Sequence, residues 1–565
     1  MSLVRNVGTI GGLTAVSRVF GFARDILLAR VLGAGLAADA FQLAFILPNT
    51  FRRLFAEGAF SVAFVPMYTR ALHSADGPDG AGGLAAQKFA NDVLAVFVWV
   101  LLGFSALAML AMPGIVWLLA SEFKEIPGKF ELSVTLAQIT FPYLALVSVV
   151  AMLSGVLNAR SRFAPGAFVP VLLNIVLISG IGVGYYLRGD SGDNVVVATT
   201  LAVAVAVAGA AQLAYMAWAT RRVGVVLTLR LPKLTPEVRR LAKLILPATF
   251  GAGIYQISQF VDTFFATSLP QGSLTLLKLA DRLNQMPLGI VGIALGTAIL
   301  PMLARHIQTD DRAGAQRLQT NAVEIAMLLT LPAAVALAIC APAFATAFFV
   351  GGQMTQANGD TMGRIVMALV AGLPAYVLVK VFQPAFFSRE DTRTPVWIAA
   401  GALIINIAIN FAVVPVFGIV GLAGATAFTA WLNVTTLYVV LHRRGWYRAD
   451  LHLVGRIGRQ TAAVGVMAVA LWLVVPLMAE NYSGGALDRV WSLGVLVLGG
   501  GAVFLMGAWV TGAIDASLLS QLTRRRRNAG AAVRGAEAAR DPSLTEPALP
   551  VLPPANPDAK DTGPT

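Results

Sequence analysis

The sequence predicts an all-α polytopic membrane protein of about fourteen transmembrane helices. They form two six-helix parallel-repeat lobes followed by two extra C-terminal helices. Three observations carry this expectation: a composition rich in apolar and poor in charged residues, recurrent apolar runs of helix length, and two internal matches at nearly the same offset.

Of the 565 residues, 57% are hydrophobic and 13% charged, and the mean hydropathy is +0.74. Soluble chains carry about 25% charged residues, so a soluble fold could not hide this much apolar surface. An ordinary soluble enzyme is excluded, and so is disorder over most of the chain. A single cysteine, Cys340, excludes a disulfide framework and argues against a cysteine-ligated metal.

Apolar runs long enough to cross a bilayer, roughly 20 residues each, fall in order near 8–32, 38–68, 90–120, 132–158, 166–187, 195–219 and 241–268. They continue near 275–303, 319–349, 362–387, 395–416, 421–441, 458–479 and 487–515. A β-barrel would show short alternating segments instead. The first run carries Arg18, Arg24 and Asp25, so it reads as a span and not as a cleaved signal peptide. Residues from about 528 onward are rich in Ala, Pro, Asp and Glu and read as a disordered tail. The expected division is 1–222 for one lobe, 223–444 for the second, 445–518 for the last two spans, and 519–565 for the tail.

Basic residues are distributed unevenly between alternate breaks. One set, with Arg5 and Arg524 to Arg527, holds 26 Lys or Arg, whereas the other holds only Lys124, Lys129, Arg188 and Arg489. The positive-inside rule then places both termini in the cytoplasm. The net charge of +13 is mostly this asymmetry, so nucleic acid is not an expected partner.

Residues 59–70 (AFSVAFVPMYTR) match 294–305 (ALGTAILPMLAR) at five positions, including Pro66/Pro301, Met67/Met302 and Arg70/Arg305, at an offset of 235. Pro142/Pro374 and Asn174-Ile175/Asn406-Ile407 repeat at an offset of 232. Six spans separate the copies, so both halves run in the same direction. In such transporters a site lies between the halves.

An ionised side chain inside a span costs at least about 2.5 kcal/mol on insertion scales. Here the spans carry Arg18, Arg24, Asp25, Asp39, Arg52, Arg53, Glu57, Lys278, Asp281, Arg282 and Lys380. Structural pairing is the plain explanation: Arg18 and Asp25 share a helix face, and Arg53 and Glu57 are four apart. Pairing does not absorb the set, because cations outnumber carboxylates. A cluster of guanidinium forks suits a phosphate or pyrophosphate ligand. A second cluster, Asp262, Asn406, Asn410 and Thr426, offers the oxygen ligands of a hard cation such as sodium, or simple interhelical hydrogen bonds. No Walker loop is present.

The run SRVFGFARDILLARVLGAGLAADAFQLAFILPNTFRRLFAEGAFSVAFVPMYTR, residues 17–70, closely resembles the MurJ (MviN) family of lipid II flippases in the MOP exporter superfamily. The run LADRLNQMPLGIVGIALGTAILP, residues 279–301, resembles that family's eighth span. The resemblance covers roughly residues 1–515. It implies transport of lipid II, the undecaprenyl-pyrophosphate-linked precursor of peptidoglycan, across the bacterial inner membrane by alternating access. It implies cavity arginines at Arg18, Arg24, Arg52 and Arg282, acidic partners at Asp25, Asp39 and Asp281, and a lipid-tail groove on the last two spans. Sodium-binding members place the ion at positions matching Asp262, Asn406, Asn410 and Thr426. Asn410 stands where such a member has a carboxylate, which weakens a cation site. Sodium or the membrane potential is the expected energy source. Lipid II and membrane lipids are the expected partners, with cell-wall synthesis proteins as candidates for the tail.

A drug exporter of the same superfamily, a flippase for another polyprenyl-linked glycan and a membrane glycosyltransferase are the alternatives. The arginines argue against the first. Only substrate competition separates the second. The third lacks a carboxylate constellation in its aqueous loops.

Overall fold

The computed structural model describes residues 3–53, 59–74 and 81–513. Its first half contains α1 (Leu3–Leu32), α2 (Leu36–Arg52), α3 (Ala59–His73), α4 (Ala81–Leu110), α5 (Met112–Leu119), α6 (Lys129–Thr140), α7 (Tyr143–Ala159), α8 (Ala164–Arg188) and α9 (Asn194–Arg221). Its second half contains α10 (Pro236–Thr267), α11 (Ser273–Gln308), α12 (Arg312–Phe349), α13 (Gln356–Val370), α14 (Leu373–Phe387) and α15 (Arg393–Arg443). The chain then adds α16 (Leu451–Leu477), α17 (Ala479–Ser483) and α18 (Ala486–Val510). Among the described residues, nine helical segments are long and apolar enough to cross a membrane. The protein is a multi-pass helical membrane protein.

Several predicted spans are broken helices. Proline lacks the N–H that continues a helix, and it marks three of the breaks. Pro113 lies in the first turn of α5, Pro142 caps α7, and Pro374 lies in the first turn of α14. The α6–α7 and α13–α14 breaks fall on the matched prolines of the repeat, so both halves interrupt the same span. The boundary between the eleventh and twelfth spans is a single kink at Gly418, with φ 57° and ψ −139°. That left-handed φ favours glycine.

Other helices outrun their apolar windows. The seventh begins at Pro236 rather than near 241, because the Thr235 side chain accepts from Val238 N–H. The ninth begins at Arg312 rather than near 319, because Asp311 accepts from Gly314 N–H. Caps of this kind stabilise a helix start by about 1 kcal/mol, enough to extend it past the apolar core into water.

In the first half, α8 lies between α1 and α9, while α7 packs on α9 and α2 on α6. In the second half, α12 packs on α11 and α13, and α14 lies between α11 and α15. Helix α16 lies along α12, and α18 lies along α16, around Cys340, Ala343, Ala463, Met467, Leu471 and Phe504.

The halves meet at the end of the bundle where α1 finishes, here called the far end. Gln353 N–H donates to Arg30 O at 2.8 Å, and Thr267 Oγ1 donates to Leu119 O at 2.6 Å. Two glycines permit this approach. A Cβ on Gly33 (φ +68°) would lie 2.7 Å from Gln353 O, and one on Gly272 (φ +92°) would lie 2.6 Å from Ala34 O. Each needs both the positive φ and the missing side chain. Gly272→Val is therefore expected to destabilise the protein by about 1–3 kcal/mol. A thermal melt of the purified variant matching wild type would refute this account of the seam.

Candidate functional site

Two ionic clusters join the halves, one in the second half of α1 and one at the far end. The first begins with Asn174 on α8, whose amide donates to Ser17 O at 3.1 Å. Gly21 makes room, since a Cβ there would lie 3.4 Å from the Asn174 amide nitrogen. Splinted in this way, Asn174 Oδ1 accepts from Arg24 Nη1 at 2.9 Å. Arg24 Nε and Nη2 in turn donate to Asp25 Oδ1 at 3.0 and 2.7 Å. The other carboxylate oxygen, Asp25 Oδ2, lies 2.9 Å from Arg282 Nε on α11. One carboxylate thus serves two guanidinium groups from opposite halves. Arg18 and Asp25 share a face, but Arg18 Nη2 instead donates to Gly289 O of α11 at 3.4 Å.

The two halves of this bridge differ in strength. Arg24 and Asp25 are buried, whereas the Arg282 side chain is 44% exposed. An exposed pair contributes about 0–1 kcal/mol, while stripping one partner from a buried pair costs about 3–5 kcal/mol. Asp25 is therefore held firmly on α1 and only weakly to the opposite half.

The remaining predicted residues surround this bridge or lie apart from it. Arg52 Nε donates to Asn49 Oδ1 at 3.2 Å, and Arg53 is exposed at the end of α2. Asp281 accepts from Gln285 Nε2 at 2.5 Å. Lys278 sits in the field of Asp281 first and Asp262 second, with Arg282 and Arg53 also near. Lys380 is exposed on α14. Glu57 lies outside the described residues.

Asp39 forms the second cluster, at the far end. Its carboxylate lies 2.9 Å from Lys129 Nζ, and both side chains are almost fully buried. It also accepts from Gly272 N–H at 2.7 Å, Thr275 N–H at 3.1 Å and Thr275 Oγ1 at 2.8 Å. Gly272 is the N-cap of α11 and has no side chain to cap it. Asp39 supplies that cap from the opposite half, against the positive end of the helix dipole. Lys129, Thr275 and Asn174 are the partners in these clusters that sequence reasoning missed. Lys129 reads as an ordinary loop cation, and Asn174 drew notice only as a repeat marker.

The proposed cation ligands occupy neighbouring helices. Asn410 Nδ2 donates to Asn406 Oδ1 at 3.0 Å, and Asn406 Nδ2 donates to Thr429 Oγ1 at 3.2 Å. Thr426 Oγ1 donates to Leu422 O at 3.1 Å. Asp262 Oδ1 and Asn410 Oδ1 are buried with no hydrogen-bond partner. Those two oxygens could face a cation, but the set holds one carboxylate, Asn406 Oδ1 is engaged by Asn410, and Lys278 is the leading opposite charge near Asp262. Among the described residues, no three His, Cys, Asp or Glu side chains gather as metal ligands.

Charged side chains from both halves meet inside an apolar helical bundle, an arrangement that suits a membrane transporter. A family model described as lipid II flippase MurJ matches residues 28–490. The probable lipid II flippase MurJ of Rhizobium meliloti is 39% identical over 542 residues, covering 95% of this chain and 99% of its own. That of Vibrio cholerae is 34% identical over 493 residues, covering 87% and 93%. Among solved structures, a lipid II flippase MurJ in an inward closed conformation superposes with a TM-score of 0.68 at 21% identity, covering 89% of this chain and 98% of that one. An inward-facing multidrug resistance MATE transporter of the MOP superfamily gives 0.63 at 14% identity, covering 76% and 94%. The chain belongs to the lipid II flippase MurJ family.

Asp39→Ala strands a buried ammonium and uncaps α11. A loss of about 3–5 kcal/mol is expected, partly restored by adding Lys129→Met. A double-mutant thermal cycle checks this, and strictly additive losses would contradict the pairing.

Proposed function

We propose that this protein carries lipid II from the cytoplasmic to the outer leaflet of the bacterial inner membrane by alternating access. The observation that carries the reading is Asp25 shared between Arg24 and Arg282, one guanidinium from each half. A pyrophosphate is a dianionic substitute for that carboxylate. It accepts bidentate hydrogen bonds from arginine and brings more charge than Asp25 to the weak, half-exposed Arg282 arm.

On the positive-inside reading, the far end faces outside and the opposite end the cytoplasm. In that orientation the protein is closed on the outside by the Asp39 clasp. In this reading the exposed cations Arg18, Arg53, Arg282 and Lys380 line a cavity entered from the cytoplasm. The headgroup enters there, while the polyprenyl tail stays in lipid along α16 and α18. Arg24, Arg52 and Arg282 offset the desolvation of the pyrophosphate. Without an anion these cations repel across the cavity, so ligand favours closure on the cytoplasmic side. Closure there competes with the outer clasp, and opening outward releases the headgroup. No covalent step is involved. Return of the empty, positively charged carrier can draw on the membrane potential, worth roughly 2.3 kcal/mol per charge per 100 mV.

Sodium is not part of this proposal. Lys278 already supplies a positive charge beside Asp262, and a second cation there would meet its repulsion.

The test is a proteoliposome assay of labelled lipid II accessibility under an imposed potential. Wild type should flip, and Arg24→Ala and Arg282→Ala should reduce the rate at least tenfold, with Arg282→Lys intermediate. Normal rates in both alanine variants would sink the proposal. Replacing sodium by potassium on both sides should leave the wild-type rate within twofold; a tenfold fall would reinstate a sodium site.

A further inference from the structure

A second polar cavity lies well away from the inter-lobe bridge. It has a volume of about 570 Å³ and is walled by the α11–α12 turn, the α14–α15 turn and the loop after α15. All three walls belong to the second half, so the cavity does not depend on how the halves sit. The Trp446 ring organises it, with the Arg389 guanidinium 4.7 Å and the Arg444 guanidinium 4.8 Å from the ring centre. Phe386 meets the same indole edge-on at 5.7 Å. Gln316 pins the loop to α12, donating to Arg448 O and accepting from Arg448 N–H at 3.2 Å.

The charges around this cavity are committed unevenly. Arg444 is neutralised by Asp391, at 2.6 Å. Burial pushes the Asp391 carboxyl up, but hydrogen bonds from Thr394 and Arg444 outweigh it and hold it at about 2. Asp311 is occupied as the cap of α12, accepting from Gly314 N–H at 2.8 Å and meeting His306 Nδ1 at 2.9 Å. Those contacts, the Gly314 bond first, lower its carboxyl from the usual range. Asp310 reaches only the exposed Arg312, at 3.4 Å. Arg389 is left with no carboxylate among the described residues; the one described hydrogen bond of its guanidinium is to Ala385 O, at 2.8 Å. Its guanidinium is lowered from its ordinary value, first by burial and then by the like charge of Arg312.

We propose that this cavity is a binding site for a phosphate-bearing group, held between Arg389 and Arg312 and braced by the Arg389–Trp446–Arg444 stack. Arg389 and Arg312 both line the cavity; Arg389 has no carboxylate partner among the described residues and Arg312 only a long, exposed contact with Asp310, so an anion can bind between them. The Trp-held guanidinium is pre-oriented, which lowers the cost of ordering it on binding. The volume suits a small ligand. The same chemistry is offered by a phospholipid headgroup and by free phosphate.

The full-length protein, purified in a phosphate-free maltoside detergent, is titrated separately with short-chain phosphatidylglycerol and with inorganic phosphate. Native mass spectrometry reads the lipid, and the fluorescence difference between wild type and Trp446→Phe reads both probes. Saturable binding weakened at least tenfold by Arg389→Gln and by Arg312→Gln, but unchanged by Arg317→Gln, is the expected result. With the lipid it assigns a headgroup site; with phosphate, a site for a soluble phosphate. Arg312 is about 91% exposed, so its variant keeps the test valid should Arg389→Gln fail to fold. No saturable binding of either probe, or equal binding in wild type and Arg312→Gln, overturns the proposal.

Discussion

A charge inside a membrane must be paired, and the organisation of this protein follows from how two carboxylates meet that demand. Asp25 and Asp39 both lie in the first half, and both reach across to α11 in the second. Each also pairs with a cation of its own half, Asp25 with Arg24 and Asp39 with Lys129. The halves are thus joined by electrostatics where lipid-soluble surfaces would give no preference for one arrangement over another.

The two junctions are unequal, and the inequality gives them different work. Asp39 is buried, ion-paired and accepts three hydrogen bonds from the start of α11. It holds the far end together and doubles as the missing cap of a helix whose own cap residue is glycine. Asp25 clings to Arg24 but reaches Arg282 where the latter is open to water. In the proposed mechanism, a strong far-end clasp and a weak bridge inside the bundle suit a carrier that waits for an anionic ligand: the ligand would displace the weak contact, and only its full binding energy would compete with the strong one.

The sequence makes the membrane class, the order of helices and the duplication legible, because apolar runs and matched prolines are local signals. It also identifies Arg24, Asp25 and Arg282 as charges needing explanation. Partnerships were not legible. Arg18 and Asp25 look like a pair on one face, yet Arg18 turns to a carbonyl of α11 and Asp25 takes a neighbour and a distant arginine. Asp39 reads as one more cavity charge, and nothing local marks Lys129 as its partner 90 residues on. Such contacts are set by how helices pack, which periodicity does not encode. Glycines at 33 and 272 are similarly silent in a chain with 54 of them.

Under the proposed alternating access, the halves must part at the far-end clasp for transport to occur. Ala34 and Gln271 flank that clasp, on either side of the Gly272 approach. Replacing both by cysteine permits a short, cleavable thiol cross-linker, with the native Cys340 buried away from it. The cross-linked protein is expected to bind labelled lipid II without delivering it to the opposite leaflet, and cleaving the linker is expected to restore delivery. Undiminished delivery with the linker intact would contradict that mechanism.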